Sequence, residues 1–308
     1  MIEEIKFSSG RIQLQGTLHK PNGPGPFPAV IVLHSASGGS RLDPFYDHLK
    51  TALPARGVSV LVYDRRGSGE SAGDFSTADF EDLATDGAAA FTYLRQCPDI
   101  DAARIGLYGI SQGGWIAPIV ATMEPAAAFL VIVSGCAVSP AAQMDFGARY
   151  TLTEAGFSEE AQQRALALRH QVNEYYRGKL ERNKLLEQLK EAEKEPWFKH
   201  AYIPRDDRLP EEVTLSKWYY EMDYDPLPIW QNLKQPTLFF FGDHDRWVPI
   251  SKSRSNYQDV TAHMDDVKFV TLAGVDHLMH YADGRKKDQL SAQYLEILLD
   301  WITSRGGR

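Results

Sequence analysis

Residues 104–118 read RIGLYGISQGGWIAP, and within them Gly109-Ile110-Ser111-Gln112-Gly113 has the spacing G-x-S-x-G. The five residues alone prove little, because a serine after a glycine turn often does no more than cap a helix. The flanks decide. Residues 105–108 form a short apolar run suited to a buried strand, and residues 115–123 are apolar like a buried helix, so the serine falls on a strand-to-helix turn. So sharp a turn strains the backbone at the serine, pushes its hydroxyl out beyond the strand and requires minimal side chains two residues away on either side. Gly109 and Gly113 meet that requirement. The helix that follows points its first amides at the same place, so the N–H of Gln112 is suited to stabilising negative charge on a substrate oxygen.

Outward from this turn the chain alternates between strands and helices. Residues 3–7 and 11–19 alternate around Ser9-Gly10 as an antiparallel hairpin does. Residues 29–33, 58–63, 128–133, 236–241 and 267–272 are the strand candidates. Residues 44–56, 80–94, 251–262 and 288–304 read as helices. Such alternation predicts a mainly parallel sheet with helices on both faces and ligands at the carboxyl ends of the strands. The rhythm breaks after Ser134-Gly135. Residues 158–177 and 181–194 read as charged amphipathic helices, and aromatics follow at Trp197, Phe198, Trp218, Tyr219 and Tyr220. The predicted organisation is therefore a core of residues 1–138 and 231–308 with a helical insertion at 139–230, since neither half of the sheet is complete alone. The insertion's aromatics are expected first as core, because large apolar side chains are mostly buried. Their functional reading is a lid whose inner face, through Trp197, Trp218 or Tyr219, lines a substrate pocket. The charged helices also suit contact between two copies in a homodimer.

Composition narrows the function classes. The 308 residues are 43% hydrophobic and 24% charged, enough for a substantial core, and the formal charge is −8 with no basic cluster. Nucleic acid and anionic membrane are not expected as partners, since both need a basic footprint. The start, MIEEIKFSS, is acidic where a signal peptide is basic, and no apolar run approaches membrane-spanning length, so the expected location is the cytoplasm. Cys97 and Cys136 are expected to be free thiols without a metal partner.

A serine hydroxyl is a weak nucleophile and needs a base to take its proton and an acid to orient that base. The strand at 236–241 runs into Gly242-Asp243-His244-Asp245, and the strand at 267–272 runs into Ala273-Gly274-Val275-Asp276-His277. Two carboxylates and a histidine thus stand just beyond strand ends, in the chain order Ser, Asp, His. Asp243 and Asp245 are both in contention as the acid.

Over nearly its whole length the chain resembles the α/β-hydrolase superfamily, and within it the bacterial esterases and serine-aminopeptidase-like hydrolases that carry a helical cap. The resemblance lies in PFPAVIVLHSASGG, YDRRGSGESAGDF, GISQGG, GDHDRWVP and GVDH. It implies the α/β-hydrolase fold. It selects Asp245, in the pattern G-x-x-D-x-x-V-P, and His277 over His244 and His280. By match of position it implies Ala36 as the second oxyanion amide beside Gln112, although the relatives' His-Gly-x is here His34-Ser35-Ala36. His34 is expected to brace that loop, and Asp64, Arg65 and Arg66 to serve as ion pair or turn. The implied function is hydrolysis of a small-molecule carboxylic ester through an acyl-enzyme on Ser111, with no metal or organic cofactor. An aminopeptidase or thioesterase using the same residues is the nearer alternative, and a non-catalytic binding protein of the same fold the farther.

Overall fold

β1 (Ile2–Ser9), whose residues alternate between exposed and buried from Ile5 on, pairs as an antiparallel hairpin with β2 (Ile12–His19), buried continuously over residues 14–18, in register from Ile2 opposite His19 to Ser9 opposite Ile12. The computed structural model describes residues 1–306 of the chain, and they form two compact units. The first unit comprises Met1–Ala137, Pro226–Asp245 and the chain from Ile250 onward. It continues with β3 (Phe27–Leu33), α1 (Asp47–Ala55), β4 (Ser59–Tyr63), α2 (Phe80–Gln96), β5 (Ile100–Ile110), α3 (Gly113–Met123) and β6 (Leu130–Val133). The eight strands of the sheet run in the order β1-β2-β4-β3-β5-β6 and then β7 (Thr237–Gly242) and β8 (Val267–Leu272). Only β1 with β2 and β2 with β4 are antiparallel, and the other neighbours are parallel.

Burial on both faces explains the apolar runs. Val30 and Val32 of β3 join a core with Leu49 and Leu53 of α1. The opposite face is covered by α2 and α3, packed so closely that a Cβ on Gly87 would lie 2.7 Å from Val120 and 2.9 Å from Leu33. β5 is longer than its apolar run predicts, because Asp101-Ala102-Ala103-Arg104 extends the strand with a polar end closed by an Asp101–Arg104 ion pair of 2.6 Å. Helix α2 begins in a reciprocal capping box between Asp79 and Asp82.

The second unit comprises Val138–Asp225 with Arg246–Pro249. It contains α4 (Pro140–Glu154), α5 (Glu159–Tyr176), α6 (Arg182–Ala192) and the single turn α7 (Lys217–Glu221) around its own core, which includes Leu152, Ala165, Leu185, Leu189 and Trp197. The sequence reading missed α4, whose apolar stripe is weak. Its signal was the start, Ser139 as N-cap with Pro140 at the first helical position. Gly147 weakens the pattern further for a packing reason, since a Cβ there would lie 2.7 Å from the Trp247 ring.

The unit ends at Asp225, earlier than the expected border at 230. The turn Pro228–Asn232 goes with the sheet, where fully buried Trp230 packs against Phe239 and Tyr257 with ring centroids 5.2 and 5.5 Å away.

The other helices are α8 (Ile250–Val260) and α9 (Ala292–Gly306). α9 starts later than predicted, because Asp288 has φ 64° and the Ser291 amide is held by the Met279 carbonyl at 2.8 Å. Among the described residues no helix is long and apolar enough to cross a membrane. Because Trp230 locks the returning chain to β7, Trp230→Ala is expected to lower the urea midpoint by the equivalent of about 3–5 kcal/mol, measured by fluorescence of the remaining tryptophans.

Candidate active site

The strained serine is present. Ser111 has φ 53°, in the left-handed region that costs a non-glycine residue energy, immediately after β5. The turn closes so tightly that a Cβ on Gly109 would lie 2.1 Å from the Gly113 carbonyl oxygen, and one on Gly113 would lie 2.2 Å from that of Leu33. Both glycines are therefore steric necessities, and the second seats the elbow against the end of β3. The Ser111 amide donates to the Val133 carbonyl at 2.9 Å, and the Ser111 carbonyl accepts from Gly114 at 2.8 Å. Gln112 is the N-cap of α3, and among the described residues its N–H has no hydrogen-bond acceptor.

The carboxylate and histidine are brought together by backbone packing between two loops. A Cβ on Gly242 would lie 2.3 Å from the Val275 carbonyl oxygen, so only glycine lets the loop after β7 press on the loop after β8. The amides of Asp243 and His244 donate to the carbonyls of Leu272 and Val275, each at 3.0 Å. In this frame His277 Nδ1 donates to Asp245 Oδ2 at 2.7 Å. The Asp245 side chain is wholly buried and that of His277 is 14% exposed. With Nδ1 as donor to a carboxylate, the neutral ring keeps Nε2 as an acceptor.

Asp243 is otherwise engaged, accepting from the Gly274 amide at 2.7 Å and from His244 Nδ1 at 2.8 Å. Its partners are the loop and an exposed histidine, not His277. His280 is not on Asp245 either, and its amide donates to Asp276.

Two contributors escaped the sequence reading. Ser134 has φ 50°, and its buried hydroxyl donates to the His277 carbonyl at 2.7 Å, so the histidine loop is tied to the residue after the one that holds Ser111. A small polar residue at a strand's carboxyl end was the available signal.

Arg65, expected as an ion pair or turn, opens a turn through its carbonyl, which accepts from the Ser68 amide at 2.9 Å, and its side chain also donates to the carbonyls of Ser35 (3.0 Å) and Gly38 (2.6 Å). Its neighbours do form ion pairs, Asp64 with Arg41 and Arg66 with Asp86. Ala36 lies in the loop held by Arg65 and is exposed.

The three aromatics proposed for a pocket go to separate places within the second unit. Trp197 is 3% exposed in that unit's core. Trp218 donates its indole N–H to Asn173 at 3.0 Å and lines a cavity of about 390 Å³ with Tyr176 and Ile203. Tyr219 is outward against Tyr220. Successive residues of a one-turn helix point about 100° apart, so Trp218 and Tyr219 diverge.

A mostly parallel sheet bearing a strained serine at one strand end and a carboxylate–imidazole pair at two others is the arrangement of hydrolases built on an α/β sheet. The chain belongs to the alpha/beta hydrolase family, whose model matches residues 30–286. It is 24% identical to the esterase EstD of Thermotoga maritima over 306 residues, 94% of this chain and 65% of EstD. It is 26% identical to acyl-coenzyme A thioesterase 1 of Mus musculus over 134 residues, 44% of this chain and 29% of that protein. The chain thus spans less than two thirds of either relative. Among solved structures an esterase of Pyrococcus furiosus aligns over 100% of this chain and 92% of its own with a TM-score of 0.64 and 16% identity, a likeness of fold.

Two histidines, His34 buried and His48 half-buried, make stability depend on pH. His34 donates Nε2–H to the Tyr63 carbonyl at 2.6 Å, and burial pushes its pKa down to about 4. His48 donates to the Phe45 carbonyl at 2.8 Å and is likewise pushed down to about 4 by burial. Both rings stay neutral when folded but take protons near their ordinary pKa when unfolded. Their contribution is therefore complete above roughly pH 6.5 and is lost as pH falls toward about 4. Urea titrations are expected to show a loss on the order of 2 kcal/mol per histidine near pH 5, with the slope reduced in His48→Gln.

Proposed function

We propose that the chain is a serine hydrolase that cleaves carboxylic esters through an acyl-enzyme. The observation that carries this reading is the 2.7 Å bond from His277 Nδ1 to the wholly buried Asp245 carboxylate, in a loop anchored beside the strained Ser111. Ser111 Oγ attacks the ester carbonyl while its proton passes to His277 Nε2. The carbonyl oxygen becomes an oxyanion that accepts from the amides of Gln112 and Ala36. The carbon–oxygen bond to the alcohol breaks as His277 returns the proton to the leaving oxygen, leaving an ester on Ser111. Water then gives its proton to His277, attacks the acyl carbon, and the acid departs as Ser111 recovers its proton. Asp245 holds the imidazole in the tautomer these transfers need and stabilises its charged form. These steps call on no metal or organic cofactor.

The relationship to acyl-coenzyme A thioesterase 1 supports a second reading, thioester cleavage through the same residues, because a thioester passes through a similar tetrahedral intermediate. Comparing kcat/KM for short p-nitrophenyl esters with that for acyl thioesters separates the two.

Ser111→Ala is expected to reduce ester turnover on the order of 10⁶-fold and to abolish labelling by a fluorophosphonate probe. Near-normal turnover would remove Ser111 from the mechanism. Asp245→Asn is expected to lower kcat on the order of 10⁴-fold by disturbing the imidazole tautomer. Asp243→Asn, which leaves the His277 partner in place, should stay within about tenfold of the parent protein.

A further inference from the structure

The loop between His34 and Ser40 is built on one buried cation. Arg65 is 6% exposed, and its guanidinium carbon lies 3.3 Å from the centroid of the Phe75 ring. Besides the Ser35 and Gly38 carbonyls, it approaches the Ala36 carbonyl at 3.4 Å from both terminal nitrogens. Its own backbone amide donates to the Gly39 carbonyl at 2.7 Å. Gly39 makes room for this, since a Cβ there would lie 3.1 Å from Arg65 Nε and Nη2, and its φ of 141° suits glycine alone.

These bonds dictate where the amides point. Across a trans peptide the C=O and the next N–H project in opposite directions. Drawing the carbonyls of Ser35, Ala36 and Gly38 inward to Arg65 therefore turns the N–H groups of Ala36, Ser37 and Gly39 away from it. Ala36 and Ser37 are exposed, so the outward side of their peptides is the side a substrate can reach. The loop starts beside the elbow, because the His34 carbonyl oxygen would lie 3.1 Å from a Cβ on Gly113. A charged donor on a carbonyl also polarises the peptide and strengthens its N–H as a donor.

We propose that Arg65 is a positioning residue for acyl transfer. By holding the Ser35 carbonyl from behind, it fixes the Ala36 N–H outward as the second oxyanion donor, in a loop where serine stands in place of the relatives' glycine. The proposal rests on the acyl-enzyme reading above.

The test uses the intact chain with Arg65→Ala, Arg65→Lys and Phe75→Leu, assayed on a short p-nitrophenyl ester well below each variant's Tm. Arg65→Ala is expected to lower kcat about 10²-fold, the size of a lost oxyanion donor, with KM within about twofold. Affinity for an aryl trifluoromethyl ketone should fall in parallel, because Ser111 adds to that ketone to form an anionic hemiketal whose oxygen needs the same amides. Lysine reaches one carbonyl but cannot bridge Ser35 and Gly38, so Arg65→Lys is expected to recover part of both losses. Phe75→Leu, which removes the ring under the guanidinium, should show a smaller loss of the same kind.

A kcat within about twofold of the parent protein in Arg65→Ala, or a lower kcat with unchanged ketone affinity, would overturn the proposal. Should Arg65→Ala not fold, unchanged kcat and ketone affinity in both Arg65→Lys and Phe75→Leu would overturn it equally. Ser111→Ala separates the two levels. Its retaining activity defeats the reaction itself, whereas an inactive Ser111→Ala beside a normal Arg65→Ala defeats only the role of Arg65.

Discussion

Two consecutive residues at the end of β6 hold the candidate site in register: the Val133 carbonyl accepts the Ser111 amide, and the Ser134 hydroxyl donates to the His277 carbonyl. Both Val133 and Ser134 are fully buried, so water does not compete for either bond. A strand in the middle of a parallel sheet cannot shift without breaking its ladders to β5 and β7. The elbow and the histidine loop are therefore referred to one rigid element although 166 positions separate Ser111 from His277. The positive φ at Ser111 and Ser134 is strain that only such support sustains.

The loops that complete the site are made rigid by the same economy of backbone contact. Gly242 lets one loop rest on the carbonyls of another, Gly113 does so for the elbow against β3, and Gly39 for the His34–Ser40 loop against Arg65. In each case the missing Cβ lets the backbone approach its neighbour more closely than a side chain would allow. His34 adds a second brace by bonding to the Tyr63 carbonyl at the end of β4, the strand that leads into Arg65. The His34–Ser40 loop is thus held from two sides by neutral and charged donors, all aimed at carbonyls.

Much of the architecture was legible because its signals are local. Apolar runs marked the buried strands, the alternation at the edge marked the β1–β2 hairpin, and the two glycines around Ser111 marked the elbow. Where the signal was mixed, the reading faltered. The polar end of β5 extended a strand beyond its apolar residues, and α4 hid behind a glycine required by a tryptophan a hundred positions later. Of the aromatics, Trp197 is core, as expected first, while Trp218 and Tyr219 diverge because side-chain direction on short, irregular elements depends on neighbours that composition does not specify. Arg65 makes the turn that was one of its two expected roles, but nothing in DRRGSGE tells which of two adjacent arginines meets a carboxylate and which meets carbonyls.

By itself the sequence determined the alternating α/β class, the strand-to-helix turn at Ser111 and the order of serine, carboxylate and histidine, since these depend on periodicity and on residue type at fixed spacing. Tertiary structure alone decided that Ser134 anchors the histidine loop and that Arg65 meets the carbonyls of Ser35 and Gly38 while Arg66 meets a carboxylate. The reason is geometric: both contacts reach backbone carbonyls distant along the chain, and only the packing of one loop on another brings such groups together, which no local spacing encodes.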